Sequence, residues 1–220
     1  MRAAPCLALI GLPVLLVGCS INPPAKEPST ASPTQTTLKI LLDVQEPFKS
    51  TGVLSSASQN RVFSVGYGKY GISCEDTIFI EGVTPIGKFR VNAILSDSKF
   101  EMEPALVEKS GKSRTYLEQN LFKNMNAIDF KGDGISREYG DGYISLAPVN
   151  SIPQPFEFNE YAGKFRWYSF AIHGTNNEDR VGQKITGGCL NVPSEDLNIL
   201  LDTVELGDVV EITANGPCDP

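Results

Sequence analysis

The chain has 220 residues, 41% hydrophobic and 20% charged, enough apolar material for a real core. Lys and Arg number 19 against 26 Asp and Glu, a net charge of −7 with no basic block anywhere; nucleic-acid affinity rests on many cationic phosphate contacts, so that class of partner is excluded. The single histidine rules out a His-rich metal site and leaves any imidazole mechanism one candidate.

The chain opens with Arg2 and an apolar run from Leu7 to Val17, interrupted by Gly11 and Pro13. The run is too short to span a bilayer as a stable helix and has the length of a signal-peptide core. It ends in Leu16-Val17-Gly18-Cys19-Ser20. Small residues before a cysteine, straight after an apolar run, resemble the bacterial lipobox. The resemblance implies that 1–18 is a lipoprotein signal and that Cys19 becomes a lipid-bearing N-terminus, each buried CH₂ contributing about 0.8 kcal/mol to anchoring. An ordinary secretory signal that happens to contain Cys19 is the alternative. The rest of 19–37 is rich in Pro, Ser and Thr, has no aromatic residue, and reads as a tether. These features predict a cell-envelope protein, anchored on the exported side of a bacterial membrane.

From Leu38 onward the pattern is strand-like. Short β-branched or aromatic runs bounded by Gly, Pro, Asn or Asp predict strands over 38–44, 61–65, 76–82, 87–95, 165–172 and 208–213. Two helices are expected. One covers Ser113 to Met125. The other covers Ser194 to Val204, with Ser194 as cap, Glu195 and Asp196 in the first turn, and Leu197, Leu200, Leu201 and Val204 on one face. The polar, turn-rich stretch 100–163 reads as an insertion with long loops. Within it, Asp129 to Gly134 has the look of a calcium loop, but Lys131 and Gly140 stand where ligands are needed, so it reads as a turn. The sum is a mostly-β domain over 38–213 with a short tail over 214–220.

Of five cysteines, Cys6 leaves with the signal and Cys19 takes lipid. Cys74, Cys189 and Cys218 remain, and spacing does not fix their pairing. The segment Ile172 to Val192 carries the chemistry. His173 closes an apolar strand, and Cys189 follows Thr186-Gly187-Gly188. A thiol becomes a strong nucleophile when an imidazole takes its proton, and backbone N–H groups suit a developing oxyanion. The two glycines let a substrate approach the main chain. On spacing alone, Cys189 fits a buried or disulfide-bonded cysteine equally well, and His173 a hydrogen-bonded strand end.

His173-Gly174, a loop, then Thr186-Gly187-Gly188-Cys189-Leu190-Asn191 resembles the signature of the L,D-transpeptidase catalytic-domain family. RVFSVGYGK (Arg61 to Lys69), GVTPIGKFRV (Gly82 to Val91), the closing helix and the GDVVEI strand agree in order. The resemblance covers about 38–213 and implies a β-sandwich with one or two short helices and the active-site loop at one edge. It implies acyl transfer on peptidoglycan stem peptides: Cys189 attacks the carbonyl of the third, diamino-acid residue, the terminal D-residue leaves, and a thioester remains. Another stem's amine then gives a cross-link, water gives L,D-carboxypeptidase activity, and a protein amine gives attachment to murein. His173 is the implied base and later acid, oriented by a carbonyl near Gly174 or by the Thr186 hydroxyl. The amides of Gly188 and Cys189 are the oxyanion candidates, and Asn191 and Gly187 the substrate-side ones. Gly187 stands where many members carry a second histidine, the loop from His173 to Thr186 is short, and 100–163 is a candidate acceptor groove. No cofactor and no metal are implied, the chain is expected to be a monomer, and its partners are stem peptides and, through lipid, a membrane. A nucleophilic Cys189 leaves Cys74 and Cys218 as the disulfide pair; if those two lie too far apart, all three thiols are free. The non-enzymatic alternative is a murein-binding lipoprotein with Cys189 locked in a disulfide.

Overall fold

A computed structural model describes residues 36–218. The signal 1–18, Cys19 and the tether up to residue 35 lie outside the described residues. In chain order the elements are β1 (Thr37–Asp43), β2 (Thr51–Ser55), β3 (Asn60–Ser64), β4 (Tyr67–Gly68), β5 (Gly71–Ser73), β6 (Val83–Pro85), β7 (Gly87–Ser96), β8 (Phe100–Met102), α1 (Pro104–Lys109), α2 (Arg114–Asn126), β9 (Gly142–Pro148), β10 (Glu157–Tyr161), β11 (Lys164–Tyr168), β12 (Ala171–His173), β13 (Lys184–Thr186), β14 (Leu190–Asn191), α3 (Ser194–Thr203) and β15 (Val209–Asn215). The fold is mostly β, as the sequence pattern predicts.

One mixed sheet runs β14-β12-β9-β7-β15-β1-β2-β3, with β8 beside β7. Alternation along its strands sorts side chains to two faces. Leu38, Ile40 and Leu42 of β1, Ile144 and Leu146 of β9, Ile172 of β12 and Ile212 of β15 join Leu197, Leu200 and Leu201 of α3 in one cluster. Ala93 and Leu95 of β7, Tyr143 of β9 and Ala171 of β12 join Leu117, Leu121 and Met125 of α2, with Trp167 of the β10–β11 hairpin, in a second. Thus α3 covers one face of the sheet, while α2 and the hairpin cover the other.

Several expectations are corrected. Residues 76–82 form no strand: Asp76 has φ +63°, and of the apolar residues only Phe79 is buried, with Ile78 and Ile80 in solvent. The expected strand 165–172 is two. β11 pairs with β10, and β12 crosses to β9, because Ser169 between them gives its carbonyl to the Tyr143 hydroxyl. The stretch 100–163 is not a loop-rich insertion; it supplies α1, α2 and the interior strand β9, which is paired on both sides. Ser113 does cap α2, accepting from the Tyr116 amide at 3.1 Å. Ser194 does not cap α3: Pro193 holds the cap position and the Ser194 hydroxyl donates to Glu178. β15 runs to Asn215 and Cys218 lies in a disulfide, so 214–218 is part of the domain rather than a tail.

Candidate active site

β12 lies between β9 and β14, and this register builds the site. Tyr143, His173 and Asn191 form one row across the three strands, and Ser145 pairs with Ala171 in the next. Ile172 and Leu190 turn to the α3 face, so His173 shares the α2 face with Tyr143 and Ala171. Cys189, one residue before Leu190, packs on that same face. It therefore lies beside Ala171 and diagonal to His173; such diagonal neighbours stand roughly 7–8 Å apart and stay within side-chain reach. Both residues line one pocket of about 380 Å³.

His173 is buried, 8% exposed. Its Nδ1 lies 2.6 Å from the Gly174 carbonyl. A carbonyl only accepts, so Nδ1 carries the proton and Nε2 keeps its lone pair. Tyr139 packs edge-on against the imidazole at 4.9 Å and Tyr143 stacks at 6.2 Å. Burial pushes the imidazole down to about 4; the Gly174 bond opposes this, and Arg180 adds to it. Cys189 is a free thiol. Its sulphur donates to the Ser169 carbonyl at 3.7 Å. Burial pushes it up to about 12, against a backbone hydrogen bond from Ala171 and with help from the Glu81 charge. The resting pair is thus a neutral thiol and a neutral imidazole, and its proton has somewhere to go only as the sulphur reacts.

The loop before Cys189 is fixed by its own hydroxyl. Thr186 Oγ1 donates to the Cys189 carbonyl at 2.5 Å and accepts the Gly188 N–H at 3.2 Å. Both atoms of that hydroxyl are therefore engaged within the loop, and it does not orient His173. The Gly188 amide is likewise occupied, whereas the Cys189 amide bonds to no described residue. Of the two oxyanion candidates, only the Cys189 amide is available. Gly188 has φ +120°, and a Cβ there would stand 2.7 Å from the Phe79 ring and 2.9 Å from the Val83 carbonyl. The Thr84 hydroxyl donates to the Gly188 carbonyl at 2.6 Å and accepts the Gly68 N–H at 2.8 Å, which ties the Thr84-Pro85 motif to the loop. At Gly187 the side-chain space is taken by Glu81 Oε1, 2.7 Å from where a Cβ would be. Gly174 is packed between Leu197 and the Tyr139 carbonyl. Asn191 is 2% exposed and lies against Gly66; its Oδ1 has no partner among the described residues.

Cys74 and Cys218 are bonded at 2.03 Å, with Cα atoms 5.0 Å apart, and neither lines the pocket. Among the described residues no three His, Cys, Asp or Glu side chains gather as a metal site, and no helix is long and apolar enough to cross a membrane.

Sequence reasoning missed much of the wall. Tyr139 and Tyr143 fell in the supposed insertion. Ser169 anchors a polar row behind the thiol: it bonds Tyr143 Oη at 3.0 Å and Ser145 Oγ at 2.7 Å, and Trp167 Nε1 donates to Ser145 at 3.1 Å. The Gly and Asp residues before Tyr143 and the alternation of Ile144 and Leu146 with Tyr143 and Ser145 were the local signals of a strand there. Lys69, Glu81, Lys131, Glu138, Arg166 and Arg180 put charge along the pocket lining, and no spacing in the sequence marks them as neighbours.

Residues 48–212 match the family model of the L,D-transpeptidase catalytic domain. No curated protein matches the chain. Among solved structures, the chain is similar to L,D-transpeptidase 3 from Mycobacterium tuberculosis in complex with a faropenem-derived adduct, at 13% identity over 81% of this chain and 60% of that one, with a TM-score of 0.42. It is similar to an L,D-transpeptidase from Mycobacterium tuberculosis H37Rv at 11% identity over 80% and 57%, with a TM-score of 0.41. An L,D-transpeptidase (residues 123–326) from Xylanimonas cellulosilytica matches at 12% identity over 85% and 64%, with a TM-score of 0.36. The chain spans about three fifths of the length of these solved chains.

Proposed function

The chain belongs to the L,D-transpeptidase catalytic-domain family, and from this premise we propose that it transfers acyl groups on peptidoglycan stem peptides through a thioester on Cys189. The observation that carries the reading is that a free thiol and an imidazole whose Nε2 is left unprotonated by the Nδ1–Gly174 bond line the same pocket. As the sulphur attacks the carbonyl of the third stem residue, its proton passes to His173 Nε2. The new oxyanion is met by the Cys189 N–H. The tetrahedral adduct then expels the terminal D-residue, whose nitrogen takes the proton back from His173. A thioester remains until an acceptor amine, deprotonated by the same imidazole, attacks its carbonyl and displaces the sulphur, which takes that proton from His173 and returns to the thiol. Water in the acceptor's place makes the enzyme an L,D-carboxypeptidase, and a protein amine makes it an attachment enzyme. The neutral resting pair supports proton transfer concerted with attack, not a preformed thiolate. The non-catalytic reading needs Cys189 in a disulfide, whereas the bridge is Cys74–Cys218. Lipid anchoring at Cys19, in the cell envelope, completes the proposal.

The test is incubation of the purified chain with tetrapeptide muropeptides, followed by mass analysis. A cross-linked product, or a tripeptide if water accepts, is expected from the native chain and none from Cys189→Ala. Turnover by Cys189→Ala comparable to the native chain's refutes the mechanism. The faropenem-derived adduct on a solved relative suggests a second readout. A penem should add its mass to the peptide containing Cys189 and to no other.

A further inference from the structure

Three successive peptide planes lead into the nucleophile, and the middle one, between Gly188 and Cys189, carries the free Cys189 N–H. That peptide is trans, so its carbonyl and its N–H point in opposite directions and turn together. The planes on either side have anchors of their own. In the one before, the Gly187 carbonyl accepts the Gly82 N–H at 2.7 Å and the Gly188 N–H donates to Thr186 Oγ1 at 3.2 Å. In the one after, the Cys189 carbonyl accepts the Thr186 hydroxyl at 2.5 Å. Among the described residues the middle plane is held at one atom, the Gly188 carbonyl, which accepts the Thr84 hydroxyl at 2.6 Å. Gly188 adds no restraint, because without a Cβ its backbone leaves the plane free to turn. Thr84 is fully buried on β6 and is itself fixed: its Oγ1 accepts the Gly68 N–H at 2.8 Å, which directs its proton to Gly188. It does not line the pocket. The Gly68 N–H, the Thr84 hydroxyl and the Gly188–Cys189 amide thus form one hydrogen-bonded chain, and each bond in such a chain polarises the next.

We propose that Thr84 is a positioning residue for acyl transfer: its hydroxyl fixes the Gly188–Cys189 peptide so that the Cys189 N–H stays turned toward the oxygen of the attacked carbonyl, and it strengthens that N–H as a donor. The inference rests on the proposed thioester chemistry and extends it to a residue that touches neither substrate nor thiol. Misdirecting this donor should slow acylation by about 100-fold, as removal of an oxyanion donor does. Reactions of the same thiol that build no oxyanion should keep their rate.

The experiment times two reactions of Cys189 in the full chain, each read as added mass on the peptide that contains it. Acylation by a penem passes through a tetrahedral oxyanion. Alkylation by iodoacetamide displaces iodide from a saturated carbon and does not. Three variants are compared with the native chain. Thr84→Val keeps the shape and loses the hydroxyl; Thr84→Ala and Thr84→Ser both lose the methyl and differ only in the hydroxyl. At saturating penem, Thr84→Val and Thr84→Ala should acylate about 100-fold more slowly than the native chain. Thr84→Ser should acylate near the native rate, and all three should be alkylated at the native rate. Where Thr84→Val does not fold, the Ala–Ser pair decides. Equal slowing of both reactions would mean that Thr84 only shapes the loop. Native acylation by Thr84→Val or Thr84→Ala, or a Thr84→Ser as slow as Thr84→Ala, would mean that the plane needs no hydroxyl. Any of these overturns the inference and leaves Cys189 as nucleophile. A native chain that is alkylated but never acylated refutes the thioester chemistry itself, and the role of Thr84 falls with it.

Discussion

Burial of a neutral His173 makes the stability of the domain depend on pH with a sign that can be worked out. The unfolded imidazole titrates near 6.5, whereas the folded one is pushed down to about 4. Above 6.5 both states are neutral and the group contributes no pH dependence. Between 6.5 and 4 the unfolded state takes a proton that the folded state refuses, so stability falls as pH falls through that window. At about 1.36 kcal/mol per pKa unit, the loss on reaching pH 4 is about 3 kcal/mol, a large share of a typical domain's stability. Carboxylates titrate in the same range, so the measurement is a difference. Urea unfolding of the native chain and of His173→Gln is followed at several pH values from 7 to 4. The sole tryptophan, Trp167, is 2% exposed and serves as the fluorescence probe. The native chain should lose about 3 kcal/mol relative to the variant on acidification, with equal m-values. Parallel curves, separated by a constant over the whole range, would refute the idea that His173 is buried uncharged.

Three more outcomes are expected. Cys74→Ser should lower stability by about 2–4 kcal/mol, read as a shift in urea midpoint under non-reducing conditions, because the bridge closes a loop between residues 144 apart; an unchanged midpoint counts against the bond. Gly188→Ala should leave a folded domain that no longer forms the Cys189–penem adduct at a native rate, since the new methyl meets Phe79 and the Val83 carbonyl at a φ of +120°; native adduct kinetics would show that the loop yields easily. Cys19→Ser should move the protein from the membrane to the soluble fraction, and an unchanged distribution and mass would remove the lipobox reading.

What was legible in the sequence was what local chemistry dictates. Leu38, Ile40 and Leu42 alternate with polar or exposed neighbours in a strand with one buried face, and β1 follows. Ser113 has the hydroxyl an N-cap needs, and α2 starts after it. Ser194 offered the same signal, but Pro193 already fits the cap backbone and Glu178, brought in from a distant loop, takes the hydroxyl. β9 was missed although turn residues flank it and Ile144 and Leu146 alternate with Tyr143 and Ser145; those two side chains read as the polar surface of an insertion, while in the fold they form a buried hydrogen-bonded row with Ser169 and Trp167. At the site, His173 and Cys189 were found through their flanking glycines. The register that sets them diagonally across β12 and β14, and the assignment of Thr186 to its own loop, depend on strand partners that no local pattern encodes.

The parallel pairing of β1 with β15 places the two ends of the domain side by side in the interior of the sheet. In the sheet order β15 lies between β1 and β7, so β1, β2 and β3 join β7 and β9 through the last strand of the domain, while the chain just after β3 is tied to β14 by the Gly66–Asn191 bridge. Contacts this distant in sequence slow folding, since chain entropy must be lost before they form. Without β15, β1 and β7 are each left with an open edge. A stop codon shortly before residue 209 should cost the whole domain, and ribosome-stalled chains probed by protease should stay uniformly sensitive until β15 has cleared the exit tunnel.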